Sequence, residues 1–293
     1  MKRNTPLLIL AILAVGLITG CKEMPPFIDM TPEVVDTTLT DTTYVASTTQ
    51  ASQQKNVLIE DFTGVRCPNC PAAQVVASTI ADENPGRVVV VSLHPSGSGV
   101  GALVTPLDES KYDFRRDAAA DILSLLGLFN GLPIGAVDRI KFEQNILITD
   151  AKWKGYTQQR LQVETPVNLI LETEYDAALN EVVITTELHY TQDVSEENYI
   201  SIGILESHMI DWQKDDQVYV EDYEHNHVLR EMITISAGKK LTPQLEKGRV
   251  IIKQYRVKLN PEYVAENLDI VAFVHQKGSG LDVLQVQQKA VVQ

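Results

Sequence analysis

Apolar and polar positions change register three times along this chain of 293 residues, and each change marks a different kind of structure. An unbroken apolar run from Leu7 to Leu17 opens it, followed by a Thr- and Pro-rich stretch without aliphatic runs to about Gln54. From Asn56 the pattern becomes strand, helix, strand. Val57 to Phe62 reads as a buried strand, Ala72 to Glu83 as a helix stopped by Asn84-Pro85-Gly86, and Arg87 to His94 as a second strand made mostly of valine. Such a unit predicts parallel pairing through a right-handed crossover. A loop rich in Gly, Ser and Pro runs from His94 to Pro106, and Asp108 then caps a helix to about Leu126. Gly131 to Arg139 turns into a short strand, Ile146 to Ile148 returns beside it, and Thr149 caps a helix carrying Trp153, Tyr156 and Leu161.

From about Val163 the period falls to two and stays there. Val167 to Tyr175, Val182 to Tyr190, Tyr199 to Glu206, His227 to Ile235, Arg249 to Lys258, Leu268 to Gln276 and Val283 to Val292 are seven β-branched runs, which predict an antiparallel sandwich. Asn180 and Lys277 to Gly280 serve as turns, and Pro261 to Asn267 as a helical turn. The division expected is a signal segment over 1–20, a tether over 21–54, an α/β domain over 55–162 and an all-β domain over 163–293. The tether has an alternative reading, in which Val34 to Val45 adds an edge strand to the body.

The first segment has the make-up of a targeting signal: Lys2 and Arg3, an apolar core too short to span a membrane, then Leu17-Ile18-Thr19-Gly20-Cys21. Its end resembles a bacterial lipoprotein signal, which implies cleavage before Cys21, acyl chains on that cysteine and a membrane as partner through those chains. The formal charge is −14, and loss of Lys2 and Arg3 makes it more negative. That balance argues against nucleic acid as a partner.

With Cys21 assigned to lipid, Cys67 and Cys70 are the remaining thiols of the three in the sequence. They stand in Asp61-Phe62-Thr63-Gly64-Val65-Arg66-Cys67-Pro68-Asn69-Cys70-Pro71, between a strand and a helix. Two thiols at this spacing close a disulfide with little backbone movement, the expected resting state in an oxidising compartment, and a helix N-terminus favours the thiolate of the first. Zinc would need two further ligands, and no second Cys pair supplies them, so neither a metal nor a cofactor is expected.

The order βαβ, helix, ββ, helix, with Cys67-Pro68-Asn69-Cys70 opening the first helix, resembles the thioredoxin fold. Asp61 falls where thioredoxins place a buried acid, and Pro133 where they carry a cis proline. A closer likeness is to the Bacteroidota outer-membrane lipoproteins of the outer-membrane-protein-twenty-eight family. It rests on Val57 to Pro71, on His225-Asn226-His227-Val228-Leu229-Arg230, and on Ile270 to Val274 with Val283 to Gln285. The resemblance implies a lipid-anchored outer-membrane protein, on either face of that membrane, with an α/β thioredoxin-like domain followed by an all-β antiparallel sandwich domain. Departures are Arg66 where thioredoxins have Trp, and the long insertion between His94 and Pro133.

Two functional readings follow. In the first, a thiol-disulfide oxidoreductase acts on exported protein thiols or disulfides: an exposed Cys67 is nucleophile, Cys70 resolves, Asp61 accepts protons and Pro133 shapes the groove. Arg66, His94 and Leu132 stand behind them. In the second, the disulfide is structural in a non-enzymatic surface protein whose β domain binds a glycan or another envelope component. Asp36-Thr37-Thr38 and Asp41-Thr42-Thr43 resemble Bacteroidota O-glycan acceptors, making Thr37 and Thr42 candidates. The acidic stretch from Asp211 reads as a solvated loop, and on a following strand His225 and His227 would share a face and, with Arg230, line a binding surface.

Overall fold

The computed structural model describes residues 37–97, 99–277 and 280–293, so the signal over 1–20, the lipid site at Cys21 and the first part of the tether lie outside the described residues. Thr38–Val45 is strand β1, and its Thr-rich composition fits an extended edge: it pairs antiparallel with Arg249–Lys258. The tether reading is corrected there in favour of the edge strand. Gln53 continues the attachment, donating its main-chain N–H to Asn168 at 2.8 Å. Thr42 is exposed opposite Ile252, while the carbonyl of Thr37 accepts from the Arg256 N–H.

Strand β2 is Val57–Phe62, helix α1 is Cys70–Glu83 and strand β3 is Val88–Leu93; both strands are buried throughout and pair in parallel, Asp61 beside Ser92. Pro71 sits in the first turn of α1, where its missing N–H costs nothing, and Ala73, Ala77 and Ile80 turn one apolar stripe toward the sheet. Helix α2 is Asp117–Leu126, starting later than expected from Asp108; β4 is Ile134–Val137, antiparallel to β2, and α3 is Asp150–Arg160. Ile148 meets β4 in a single bridge to Gly135 rather than a full hairpin.

The remaining strands are β5 (Val167–Asp176), β6 (Glu181–Tyr190), β7 (Asn198–Glu206), β8 (Met209–Asp215), β9 (Val218–His225), β10 (Val228–Met232), β11 (Lys239–Lys240), β12 (Arg249–Lys258), β13 (Leu268–Gln276) and β14 (Val283–Ala290). One sheet runs β1-β12-β6-β5. A second runs β14-β13-β7-β10-β3-β2-β4, with β11 beside β7. Their inner faces share a core in which Leu169, Ile184 and Leu188 meet Ile202, Ile270 and Val274.

The second sheet crosses the boundary expected at 162/163. Strand β10 pairs antiparallel with β7 and touches β3 in parallel at Val228 and Ser92, so strands from both sides of that boundary belong to one sheet, and Thr37–Gln293 forms one compact unit. On one face of it Leu58, Phe62 and Leu93 pack with Leu205, Leu229 and Phe273; on the other Val57, Ile59 and Val90 pack under α1 with Trp153 of α3. The fold is β-rich. Among the described residues no helix is long and apolar enough to cross a membrane.

Candidate functional site

The site begins where β2 leaves the sheet. Loop 63–69 carries Cys67, and Cys70 is the first residue of α1; the two sulfurs are joined in a disulfide with Cα atoms 5.4 Å apart. The Cys67 N–H donates to the Gly64 carbonyl at 3.0 Å and the Cys70 N–H to the Cys67 carbonyl at 3.3 Å, a tight turn that brings the pair together.

Both cysteines are fully buried, which corrects the expectation of an exposed Cys67. The cover is the β8–β9 hairpin, from the stretch read as a solvated acidic loop. Lys214 donates its main-chain N–H to the Val65 carbonyl at 2.8 Å and Asp216 to the Pro68 carbonyl at 2.9 Å. The wholly buried Gln213 sends its amide to the carbonyls of Gly64 and Cys67, each at 3.3 Å. Backbone polar groups of the cysteine loop are thus satisfied by the chain's own strand. The sequence carries a sign of this hairpin that the reading passed over: Val218-Tyr219-Val220 after Asp215-Asp216, with Asp216 at φ 48° in the turn.

Arg66 is held by main-chain carbonyls. Its Nε donates to the Thr105 carbonyl at 2.8 Å and its Nη2 to that of Pro106 at 2.9 Å, tying the loop to the 105–106 segment. The Leu132–Pro133 peptide is cis, and Pro133 lies one residue beyond the pairing of Ile134 with Phe62, at the end of β2 from which the cysteine loop departs. Leu132 packs, half-buried, against the apolar core on the α2 side.

Asp61 follows Val57 and Ile59 on the α1 face of β2. It is wholly buried, and neither carboxylate oxygen has a hydrogen-bond partner among the described residues. Burial first, and the Asp150 charge second, push its pKa up to about 8, so it keeps its proton at neutral pH. It lines a cleft of about 340 Å³ whose walls are Gln74 and Ser78 of α1 and Tyr223, Glu224 and His227. Tyr223 donates its hydroxyl to Gln74, which donates in turn to Thr63.

The histidines are not a shared surface. Strand β9 ends at His225, and His227, at φ 56°, lies past the turn, so the two do not alternate along one strand. His225 is buried against Phe114 at 4.6 Å between ring centroids and beside His94 at 6.2 Å; His227 borders the cleft. Burial lowers the pKa of His225 to about 4 and that of His94 well below its usual range, so both are neutral at pH 7. Both ring nitrogens of His94, stacked on Phe114 at 5.1 Å, lack a hydrogen-bond partner among the described residues. Arg230 is buried too, 2.8 Å from Glu206 and over the Tyr263 ring. The expected binding surface of His225, His227 and Arg230 is corrected accordingly: desolvation and ion pairing take two of its three members inside.

Among solved structures the chain is similar to HBP35 of Porphyromonas gingivalis, at 17% identity and a TM-score of 0.65, covering 83% of this chain and 77% of that one. It is also similar to the Agrobacterium tumefaciens protein AGR_C_4864, at 11% identity and a TM-score of 0.50, over 82% of this chain and 96% of that one. A domain of the outer membrane lipoprotein Omp28 from Porphyromonas gingivalis aligns at 20% identity and a TM-score of 0.32, over 43% of this chain and 88% of that one. No curated protein matches the chain. The family described as Outer membrane protein Omp28 matches residues 127–293, more than half of the length, and the chain therefore belongs to that family.

Proposed function

We propose that this protein is an envelope lipoprotein, held at the outer membrane by acyl chains on Cys21, whose thioredoxin-like segment exchanges the Cys67–Cys70 disulfide with thiols of exported proteins. The observation that carries the reading is Asp61: a protonated, unpartnered acid on the strand that leads into a disulfide at a helix start. An orphaned buried carboxyl is costly, and a proton-transfer task accounts for keeping it. A substrate thiolate attacks the Cys67 sulfur, the S–S bond breaks, and Cys70 leaves as a thiolate that takes the Asp61 proton. A second substrate thiol then attacks the substrate sulfur of the mixed disulfide and releases Cys67; the substrate is oxidised and the pair reduced. The β8–β9 hairpin must lift for this attack, and O-glycans on Thr37 and Thr42 would decorate the N-terminal edge.

Full burial of both sulfurs favours a second reading, a structural brace in a non-enzymatic binding protein. Reduction potential and trapping separate the two. The exchange reading expects a potential above about −300 mV and a mixed disulfide accumulating on Cys70→Ser; a potential below about −300 mV with nothing trapped would sink it.

A further inference from the structure

The cleft between α1 and the end of β9 has a one-sided charge. Asp61 at its floor, Asp82 on α1 and Glu224 at its rim contribute three carboxyl groups, and no Lys or Arg is found among the described residues lining it. Hydroxyl and amide groups of Ser78, Gln74 and Asn226 complete the walls. The strand residues directly beside Asp61 are Ser92 and Gly135, so its sheet neighbours supply no cation either. Both Asp61 oxygens remain without a hydrogen-bond partner among the described residues although the side chain is wholly buried, and Nδ1 of His227 likewise has none among them.

We propose that this cleft binds an organic cation, an alkylguanidinium or alkylammonium group, with the Asp61 carboxylate as its counter-ion. A planar guanidinium matches a carboxylate that offers two free oxygens, and the volume of about 340 Å³ takes a short alkyl chain behind it. Rim carboxylates then face the solvent-exposed end of the ligand. The groups facing Asp61 or sharing its cleft are Asp150 of α3, Asp82 of α1, Tyr223 and Glu224 of β9, and His227; Asp150 and Asp82 favour a cation, Glu224 is already engaged by the exposed His208 at 2.6 Å, and burial keeps His227 and Tyr223 neutral. Since Asp61 holds a proton up to about pH 8, cation binding at neutral pH expels it. The inference does not depend on the disulfide being exchanged.

The test is calorimetric titration of the full chain, disulfide intact, with n-butylguanidinium, with a capped arginine-containing tripeptide, and with neutral butyramide. The expected result is binding of the cation but not of butyramide, with release of about one proton per cation at pH 7 that fades above about pH 9. Binding of the tripeptide as tightly as butylguanidinium marks a polypeptide side chain as the source; binding of butylguanidinium alone marks a small amine. Asp61→Asn weakens binding roughly tenfold or more. Ser78→Phe, on the exposed side of α1, blocks the cleft without touching the core, and Glu224→Lys places a competing cation at the rim; both lose binding. Equal affinity for butyramide, no heat with any cation at millimolar concentration, or binding unchanged in all three variants would overturn the proposal.

Discussion

Lys214 donates its main-chain N–H to the carbonyl of Val65, two residues before Cys67, at 2.8 Å, so an extended strand of the same chain lies along the cysteine loop. An exogenous polypeptide reaching the disulfide would have to replace that strand. Under the proposed exchange function, attack on the disulfide would therefore require the hairpin to open.

Gln213 is the side chain that holds the cover most directly, with its amide shared among the carbonyls of Gly64, Cys67 and Lys214. Gln213→Ala leaves those acceptors short of a donor at a cost of about 1–3 kcal/mol to the closed hairpin. Reduction of Cys67–Cys70 by dithiothreitol, followed by thiol release, is expected to run roughly tenfold faster in the variant. An unchanged rate would show that the cover does not limit access.

Asp61 makes stability fall with rising pH. Its folded pKa of about 8 lies above the unfolded value near 4, so between these limits the folded state binds the extra proton and each pH unit weakens it by up to about 1.4 kcal/mol. The loss starts near pH 4 and levels off above about pH 8. Urea midpoints from pH 4 to 9 should decline more steeply for the native chain than for Asp61→Asn, with the variant the more stable at pH 8. Parallel profiles would refute the assignment.

Glu60 and Arg139 form a buried bidentate pair, at 2.8 and 2.6 Å, and the guanidinium also lies over Phe273. Glu60 and Arg139 both precede residue 162 while Phe273 of β13 follows it, so the guanidinium that Glu60 holds in place is what meets the second segment. Glu60→Gln strands a buried guanidinium and should cost about 3–5 kcal/mol. In denaturant, with Trp212→Phe as background so that Trp153 is the sole tryptophan, Trp153 fluorescence and the far-ultraviolet β signal are expected to move together to a lower midpoint; separated transitions would indicate two independently folding parts.

Gly135 of β4 admits no side chain. A Cβ there would stand 2.5 Å from the Trp153 ring and 2.6 Å from the Glu60 carbonyl. Gly135→Ala forces the buried indole or β2 to move, at about 1–3 kcal/mol. The check is a lowered thermal midpoint with an altered Trp emission, against Gly155→Ala, where nothing stands within 4 Å of the new methyl group.

Much of this architecture was legible in the residues. Val182 to Tyr190 and Arg249 to Lys258 alternate with period two because one of their faces is buried, Leu268 to Gln276 is an apolar run buried on both faces, and all three are strands over nearly the expected spans. Cys67 and Cys70 at a strand-to-helix transition, and Ala73, Ala77 and Ile80 at helical spacing, were equally plain, since each depends on neighbours a few residues away. The Asp211 to His225 segment was not, because its many charges read as solvated while its strand character rests on Met209, Trp212, Val218 and Val220 spread among them.

By itself the sequence determined the succession of strands and helices, the thiol pair between strand and helix, and the anionic charge, all properties of local pattern or composition. The tertiary structure alone decided that β10 bridges β7 and β3 into one sheet, that Asp61 is wholly buried with no hydrogen-bond partner among the described residues, and that the β8–β9 hairpin closes over the disulfide. The reason lies in the backbone. The cover and the junction are made largely of main-chain N–H and carbonyl groups, Lys214 to Val65, Asp216 to Pro68 and Ser92 to His227, which every residue carries alike and no side-chain pattern announces.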